Sequence, residues 1–184
     1  MERRDAATPA WATEKVHVAE PDPKWAAQAE RFAAEIHDLL GDWLSEPAVH
    51  VGSTAVPDLA AKPIIDLQAT AAEPATAMAA REHALAAASW FFVPRELDQR
   101  AWRWFVVRAD AAAQHRLAHL HLMRPDEPRW YEQLAFRDAL RANPALAEEY
   151  ARLKARAADE HHHDREAYTN AKQAFVRRVL ERIS

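Results

Sequence analysis

The sequence predicts an α/β fold of the α+β kind: a mixed β-sheet core flanked by helices, with a helical C-terminal third. Three observations predict it. Short apolar or alternating runs recur between residues 48 and 123, as half-buried strands require. The first two runs are separated only by the loop Gly52–Pro63, which carries Thr, Pro and Asp and is too short for a long crossover helix, so they read as neighbouring strands. From Pro128 onward the pattern carries helical period alone. The 184 residues fit one domain, 1–184, and no repeat or low-complexity linker divides them.

The elements follow in chain order. Residues 1–13 read as a loose leader, and Val16–Val18 as a short strand. Asp22-Pro23 has the form of an N-cap followed by the first helical position. Behind it, Trp25, Ala29, Phe32, Ile36 and Leu40 recur at spacings of three and four, one buried helical face. Gly41 then reads as a C-cap. Ala48–Val51 is a strand, Gly52–Pro63 a loop with room for one helical turn, and Ile64–Thr70 a second strand. Ala75–Ala88 is an alanine-rich helix. Phe91–Pro94, Trp102–Arg108 and Arg116–Met123 read as strands, the last two as a hairpin turning at Ala109–Gln114. Pro128–Ala142, Pro144–Arg156 and Arg165–Ile183 read as helices, with Asn143-Pro144 as a stop and restart.

Composition narrows the function classes. A net charge of −4 argues against a protein that grips nucleic acid through bulk positive charge. The chain has no cysteine, so disulfide frameworks and thiolate metal sites are excluded. The charged start Met1-Glu-Arg-Arg-Asp leads into no apolar h-region, and no run of about 18 apolar residues exists, so neither a signal peptide nor a membrane span is expected. The expected location is the cytoplasm and the expected partner a small-molecule substrate. The oligomeric state stays open.

Glycine is scarce: the chain has two, Gly41 and Gly52. A glycine kept in so alanine-rich a chain marks a place where a side chain does not fit. Gly52 opens the segment that carries chemistry. Gly52 lets the backbone turn and approach a ligand; Ser53 and Thr54 offer hydroxyls and N–H groups where an anion is favoured; Lys62 adds positive charge. Asp66 then emerges from an apolar strand, on one face with Gln68, while Ile65 and Leu67 take the other. A phosphate cradle beside a strand carboxylate suits a nucleotide with Mg²⁺ or another divalent metal. The plainer reading is a tight turn with a capping carboxylate.

The segment His50–Asp66 resembles the GrpB family, whose pattern is close to H-I-G-S-T-S-V-P-G-L-A-A-K-P-I-I-D-I. The chain matches it at His50, Gly52–Thr54, Val56, Pro57 and Leu59–Asp66. His119-Leu-His121, Trp130, Phe136-Arg-Asp138, Leu140-Arg141, Tyr150, Lys154, Tyr168 and Lys172 resemble the family as well, so the likeness runs from about Val16 to Ser184. The resemblance implies a nucleotidyltransferase-like fold. In that fold a Gly-Ser turn and an Asp-x-Asp/Glu pair bind nucleotide phosphates and two metal ions. Some family members are fused to dephospho-coenzyme A kinase.

The chain departs from the pattern twice. Asp58 stands where the family commonly has Gly, a residue that tolerates a left-handed backbone. Gln68 takes the second carboxylate position, which puts two-metal catalysis in doubt. His119 and His121 are the candidates to help. On one strand they share a face, with Leu120 and Leu122 toward the core, and beside Ile64–Thr70 they would flank Asp66 as metal ligands, phosphate donors or general base. The expected catalytic and metal residues are therefore Asp66, His119 and His121. The expected phosphate or nucleotide residues are Gly52, Ser53, Thr54, Lys62, Arg137 and Lys172, with ATP or another nucleotide as substrate. Tyr168 and Lys172 lie four apart on one helical face. Trp102, Trp104 and Phe105 are base-stacking candidates or core, and His161–His163 an exposed link between helices. Three functions follow: a nucleotidyl or related transferase, a non-catalytic nucleotide- or coenzyme A precursor-binding module, and a mononuclear metal enzyme using Asp66, His119 and His121.

Overall fold

A computed structural model describes residues 9–13, 17–161 and 165–183, the side chains of Thr13, Arg165, Glu166 and Tyr168 excepted. The helix expected after Asp22-Pro23 forms as α1, Lys24–Leu40. Its start falls one residue later than expected: Pro23 takes the capping place, while the Asp22 carboxylate accepts the Lys24 N–H. The five apolar positions read from the sequence are the five it buries. They fall on one stripe, and the stripe is what holds the helix to the sheet.

Five strands make one sheet: β1 Leu44–Val51, β2 Ile65–Ala71, β3 Trp90–Phe92, β4 Trp104–Ala109 and β5 Arg116–Met123, in the order β1-β2-β5-β4-β3. β2 and β5 run parallel at the centre; the other pairs are antiparallel. The chain reaches β5 from β2 through α2, Pro74–Ala87, then β3 and β4. β1 begins four residues before the expected Ala48. Its first half, Leu44–Pro47, carries Pro47, and proline is accommodated there because β1 is an edge strand broken by register shifts. β3 is shorter than expected, since Pro94 leads into a helical turn, α3, Arg95–Asp98.

The C-terminal third is helical as expected: α4 Pro128–Ala142, α5 Pro144–Glu160 and α6 Arg165–Ile183. The Asn143 side chain accepts the Leu146 N–H and restarts the chain as α5. His161 ends α5 and lies 3.9 Å from Glu160; His162 and His163 fall outside the described residues.

Three apolar clusters hold these parts together. α1 and α2 pack on one face of the sheet, against Ile65, Leu67, Val106, Leu120 and Leu122. The second cluster joins Val56 and Leu59 of the loop after β1 to Leu140, Tyr150, Phe175 and Val179 of the last three helices. It anchors those helices over the loop that opens at Gly52. The third seats Trp11 against Val107 and Ala109. Residues 1–8 and Val16 are outside the described residues. The later part of the expected loose leader is tied down: Ala10–Thr13 form a 3-10 turn, and Arg116 donates to the Trp11 and Ala12 carbonyls. Near the expected Val16–Val18 strand, the pairing seen is a single bridge between Ala19 and Ala61. Among the described residues no helix is long and apolar enough to cross a membrane.

Candidate functional site

The parallel pairing of β2 with β5 puts Asp66 opposite His119 and Gln68 opposite His121. Strand alternation sends Ile65, Leu67, Leu120 and Leu122 into the α1–α2 core and leaves the polar side chains on the other face. The trio Asp66, His119 and His121 therefore converges as expected, each offering an atom within 4.8 Å of the others. His119 Nδ1 lies 2.9 Å from Asp66 Oδ1, and His121 Nε2 lies 3.6 Å from the same oxygen.

Burial pushes the Asp66 carboxyl up, but the hydrogen bonds from His119 and His121 outweigh it and hold the group well below the usual carboxylate range. Asp66 is thus a fixed anion. Burial pushes His121 down to about 4, with the nearby Arg103 charge helping and the Asp66 hydrogen bond opposing. His121 is neutral at physiological pH.

Gly52 underlies this geometry. Its φ is +73°, and a Cβ there would stand 2.7 Å from Asp66 Oδ2. Both the backbone and the close approach exclude a side chain, as its persistence in the sequence suggested. Asp58 also takes a left-handed backbone, with φ at 59°. After Gly52, Ser53–Ala55 form a single 3-10 turn.

A small cleft opens beside the trio, lined by Ser53, Thr54, Lys62, Asp66, His119, Lys154 and Lys172 among others. Its volume of about 80 Å³ is far below the roughly 300–1,000 Å³ of ordinary small-molecule sites and suits a group of phosphate size. Lys62 arrives from the loop, Lys154 from α5 and Lys172 from α6. Burial pushes Lys154 down to about 7, with Lys172 adding repulsion, and it donates to the Ala60 carbonyl at 2.5 Å. Burial likewise lowers Lys172 to about 8, opposed by the attraction of Asp66.

The expected phosphate residues divide. Ser53, Thr54, Lys62 and Lys172 line the cleft, and Gly52 shapes it from below Asp66. The Thr54 hydroxyl is engaged inside the loop, 2.9 Å from His50 Nε2 and 3.5 Å from the Ile64 carbonyl. Burial holds His50 down at about 4, so it serves this contact as a neutral ring. Arg137 does not line the cleft. Its guanidinium bonds Asp138 and the His50 carbonyl, bracing α4 against the end of β1. Of the aromatics, Trp102 stacks on His121 at 5.7 Å and Phe105 packs beside both histidines, while Trp104 packs into the core. Tyr168 has no described side chain.

Two residues lay outside the expected set. Lys154 shares the buried stripe Tyr150, Lys154, Ala157 on α5, and a lysine at i+4 within an apolar stripe is the signal that marks it. Arg103, only 8% exposed, touches His121, and no sequence motif announces it.

The cleft does not fit two Mg²⁺ ions. Among the described residues Asp66 is its one carboxylate, and Mg²⁺ takes oxygen ligands in preference to imidazole. Gln68 is fully buried and donates its amide N–H to the Trp130 carbonyl; its Oε1 is buried without a hydrogen-bond partner, is a neutral oxygen, and does not line the cleft.

The family model described as GrpB protein matches residues 15–182. The chain belongs to the GrpB family. A UPF0157 protein of Pseudomonas aeruginosa is 36% identical over 175 residues, spanning 92% of this GrpB chain and 68% of that protein. The dephospho-CoA kinase of Mycolicibacterium paratuberculosis is 30% identical over 91% of the chain, which matches 46% of that longer protein. The crystal structure of GrpB from Enterococcus faecalis superposes with a TM-score of 0.76 at 28% identity, covering 90% of this chain and 96% of that one. The Cid1 poly(U) polymerase, in a structure with MgGTP bound, reaches a TM-score of 0.55 at 13% identity over 78% of this chain and 45% of its own. At that identity the likeness establishes the nucleotidyltransferase-like fold alone.

Proposed function

We propose that this GrpB member binds a nucleotide or another phosphate-bearing small molecule with its phosphate against Ser53, Lys62, Lys154 and Lys172, and transfers a nucleotidyl or related group to a small acceptor. One observation carries the reading: three lysines from three separate elements meet at a phosphate-sized cleft that also opens on Asp66 and His119. Of the three, Lys154 is the buried one, and a buried ammonium group favours an anion beside it.

His119 supplies the acid–base element. Asp66 accepts its Nδ1–H, so the lone pair lies on Nε2, a buried atom with no hydrogen-bond partner. An acceptor hydroxyl that reached this atom, once the groups now covering it moved aside, would give its proton to Nε2 as its oxygen bonds phosphorus. As that bond forms, the bond from phosphorus to the bridging oxygen breaks, pyrophosphate leaves with the electron pair, and the lysine ammonium groups would stabilise its charge.

Gln68 favours a second reading, a module that binds the phosphate ligand without turnover. The match to a dephospho-CoA kinase makes coenzyme A precursors ligands to include. Calorimetry of the purified protein with ATP, other nucleotides and coenzyme A precursors, with and without Mg²⁺, tests the shared part. Binding that is weakened in Lys172→Ala is the expected result; no binding by any of them refutes the phosphate site. Pyrophosphate release with a small acceptor, absent in His119→Ala, separates transferase from module.

A further inference from the structure

Arg103 sits behind the trio in a loop built to hold it. Its Nε and Nη2 donate to both oxygens of the Asp98 carboxylate, at 3.0 and 2.6 Å. Both side chains are nearly sequestered from solvent. Arg95 donates to the Arg103 and Ala101 carbonyls and fixes the backbone on either side of Trp102. The guanidinium lies 3.8 Å from the centre of the Phe105 ring. What remains is Nη1, which lies 2.6 Å from His121 Nδ1. Trp102 covers the other side of the same imidazole, almost parallel to it.

A guanidinium has no acceptor atom. At 2.6 Å the Arg103 N–H must donate, so His121 Nδ1 is the acceptor and carries no proton. The His121 proton is then on Nε2, the atom that faces Asp66. His119 points its Nδ1–H at the same carboxylate. Asp66 therefore accepts the His119 N–H at 2.9 Å and faces the His121 N–H at 3.6 Å, and neither histidine turns a lone pair toward it. A metal ion shared by the three would need a lone pair on His121 Nε2. That moves the proton to Nδ1, against the Arg103 N–H.

We propose that Arg103 is a positioning residue: it holds His121 with its Nε2–H turned to Asp66, and so keeps Asp66, His119 and His121 from acting as a three-ligand metal centre. The inference does not rest on the ligand or reaction proposed above. It assigns the ring nitrogens through the fixed direction of the Arg103 donor. It also gives the Asp98–Arg103 pair a purpose that the sequence motif does not reveal. Conserving the charge is not enough, because lysine lacks the fork that grips Asp98 while reaching His121.

Two measurements on the full chain test this, neither needing activity. Long-range ¹H–¹⁵N spectra of the imidazole rings should show His121 in the wild type with a bare Nδ1 and a protonated Nε2. Arg103→Met should lose that single pattern. Co²⁺ titration followed in the visible spectrum should show weak binding by the wild type. In Arg103→Met the affinity should rise about tenfold or more, the scale on which groups behind metal ligands act, and adding His121→Ala should remove the gain. Asp98→Asn, which loosens the guanidinium without deleting it, should shift both readouts in the same direction and serves if Arg103→Met fails to fold. A protonated Nδ1 on His121 in the wild type overturns the proposal. So does tight wild-type Co²⁺ binding that depends on both histidines, or a metal affinity that Arg103→Met and Asp98→Asn leave unchanged.

Discussion

The two faces of β2 and β5 are made from the same two stretches of backbone, taken alternately, yet they obey different rules. On one face Ile65, Leu67, Leu120 and Leu122 are completely buried under α1 and α2. On the other, Asp66, Gln68, His119 and His121 face one another and the C-terminal helices through directed contacts. The first face is held by area and tolerates any packing that fills it. The second is held by donors and acceptors, and moving one proton or one methyl changes it. Chemistry here is a matter of which parity a residue has along the strand.

The comparison breaks most visibly on the apolar side. Leu120→Ala should lower unfolding stability by roughly 2–5 kcal/mol, the usual result for a buried leucine. The loss read by denaturant melts should be the same at pH 5 and pH 8, because the methyl groups removed carry no charge.

The polar face should show its own signature in acid. His50 and His121 are held down at about 4, against 6.5 for an unperturbed imidazole. Between those values the unfolded chain binds protons that the folded chain does not. Stability should therefore be full above pH 6.5 and fall as pH drops toward 4. The His121 share is at most about 1.4 kcal/mol per pH unit. The share of His50 is smaller, since that ring is partly open to solvent. Replacing His121 with Leu should flatten this slope, and an unchanged slope would place the acid sensitivity elsewhere.

Gly52→Ala should cost about 1–3 kcal/mol, the scale of a strained backbone, since its Cβ also meets Asp66 Oδ2. Pairing it with Asp66→Ala should recover part of the loss; strict additivity would deny the contact.

Lys154→Met sharpens the contrast with the smallest change in stability, within about 1 kcal/mol, because a methionine fills the same space without a buried amine. Sulfate affinity, by contrast, should drop. In the wild type that affinity should also fall as pH rises through about 7 to 8, where Lys154 and Lys172 lose their protons. Sulfate keeps its own charge throughout, so a flat profile would exclude these amines as the anion's partners.

Much of this arrangement was legible in the sequence. Alternation alone placed Leu120 and Leu122 in the core and both histidines beside Asp66, given one assumption, that β2 and β5 are neighbours. The scarcity of glycine marked Gly52. The ends of β5, α4 and α6 fell where the pattern put them. What stayed hidden were groups whose role depends on distant partners. Arg103 reads as one more charged residue until α3 folds Asp98 against it. Arg137 resembled a phosphate ligand, but its reach is set by the end of β1, whose carbonyl it binds. Trp11 looked like part of a free leader because nothing local shows that Val107 and Ala109 leave a seat for an indole.

The lysines that meet at the cleft are 110 residues apart at their extremes, Lys62 on the loop after β1 and Lys172 in the last helix. An anion seated between them, as proposed, would act as a clasp across the chain. It would turn the mutual repulsion of Lys154 and Lys172 into shared attraction. Occupancy of so small a cleft should therefore be felt as slowed amide exchange throughout α5 and α6, far beyond the atoms that touch it.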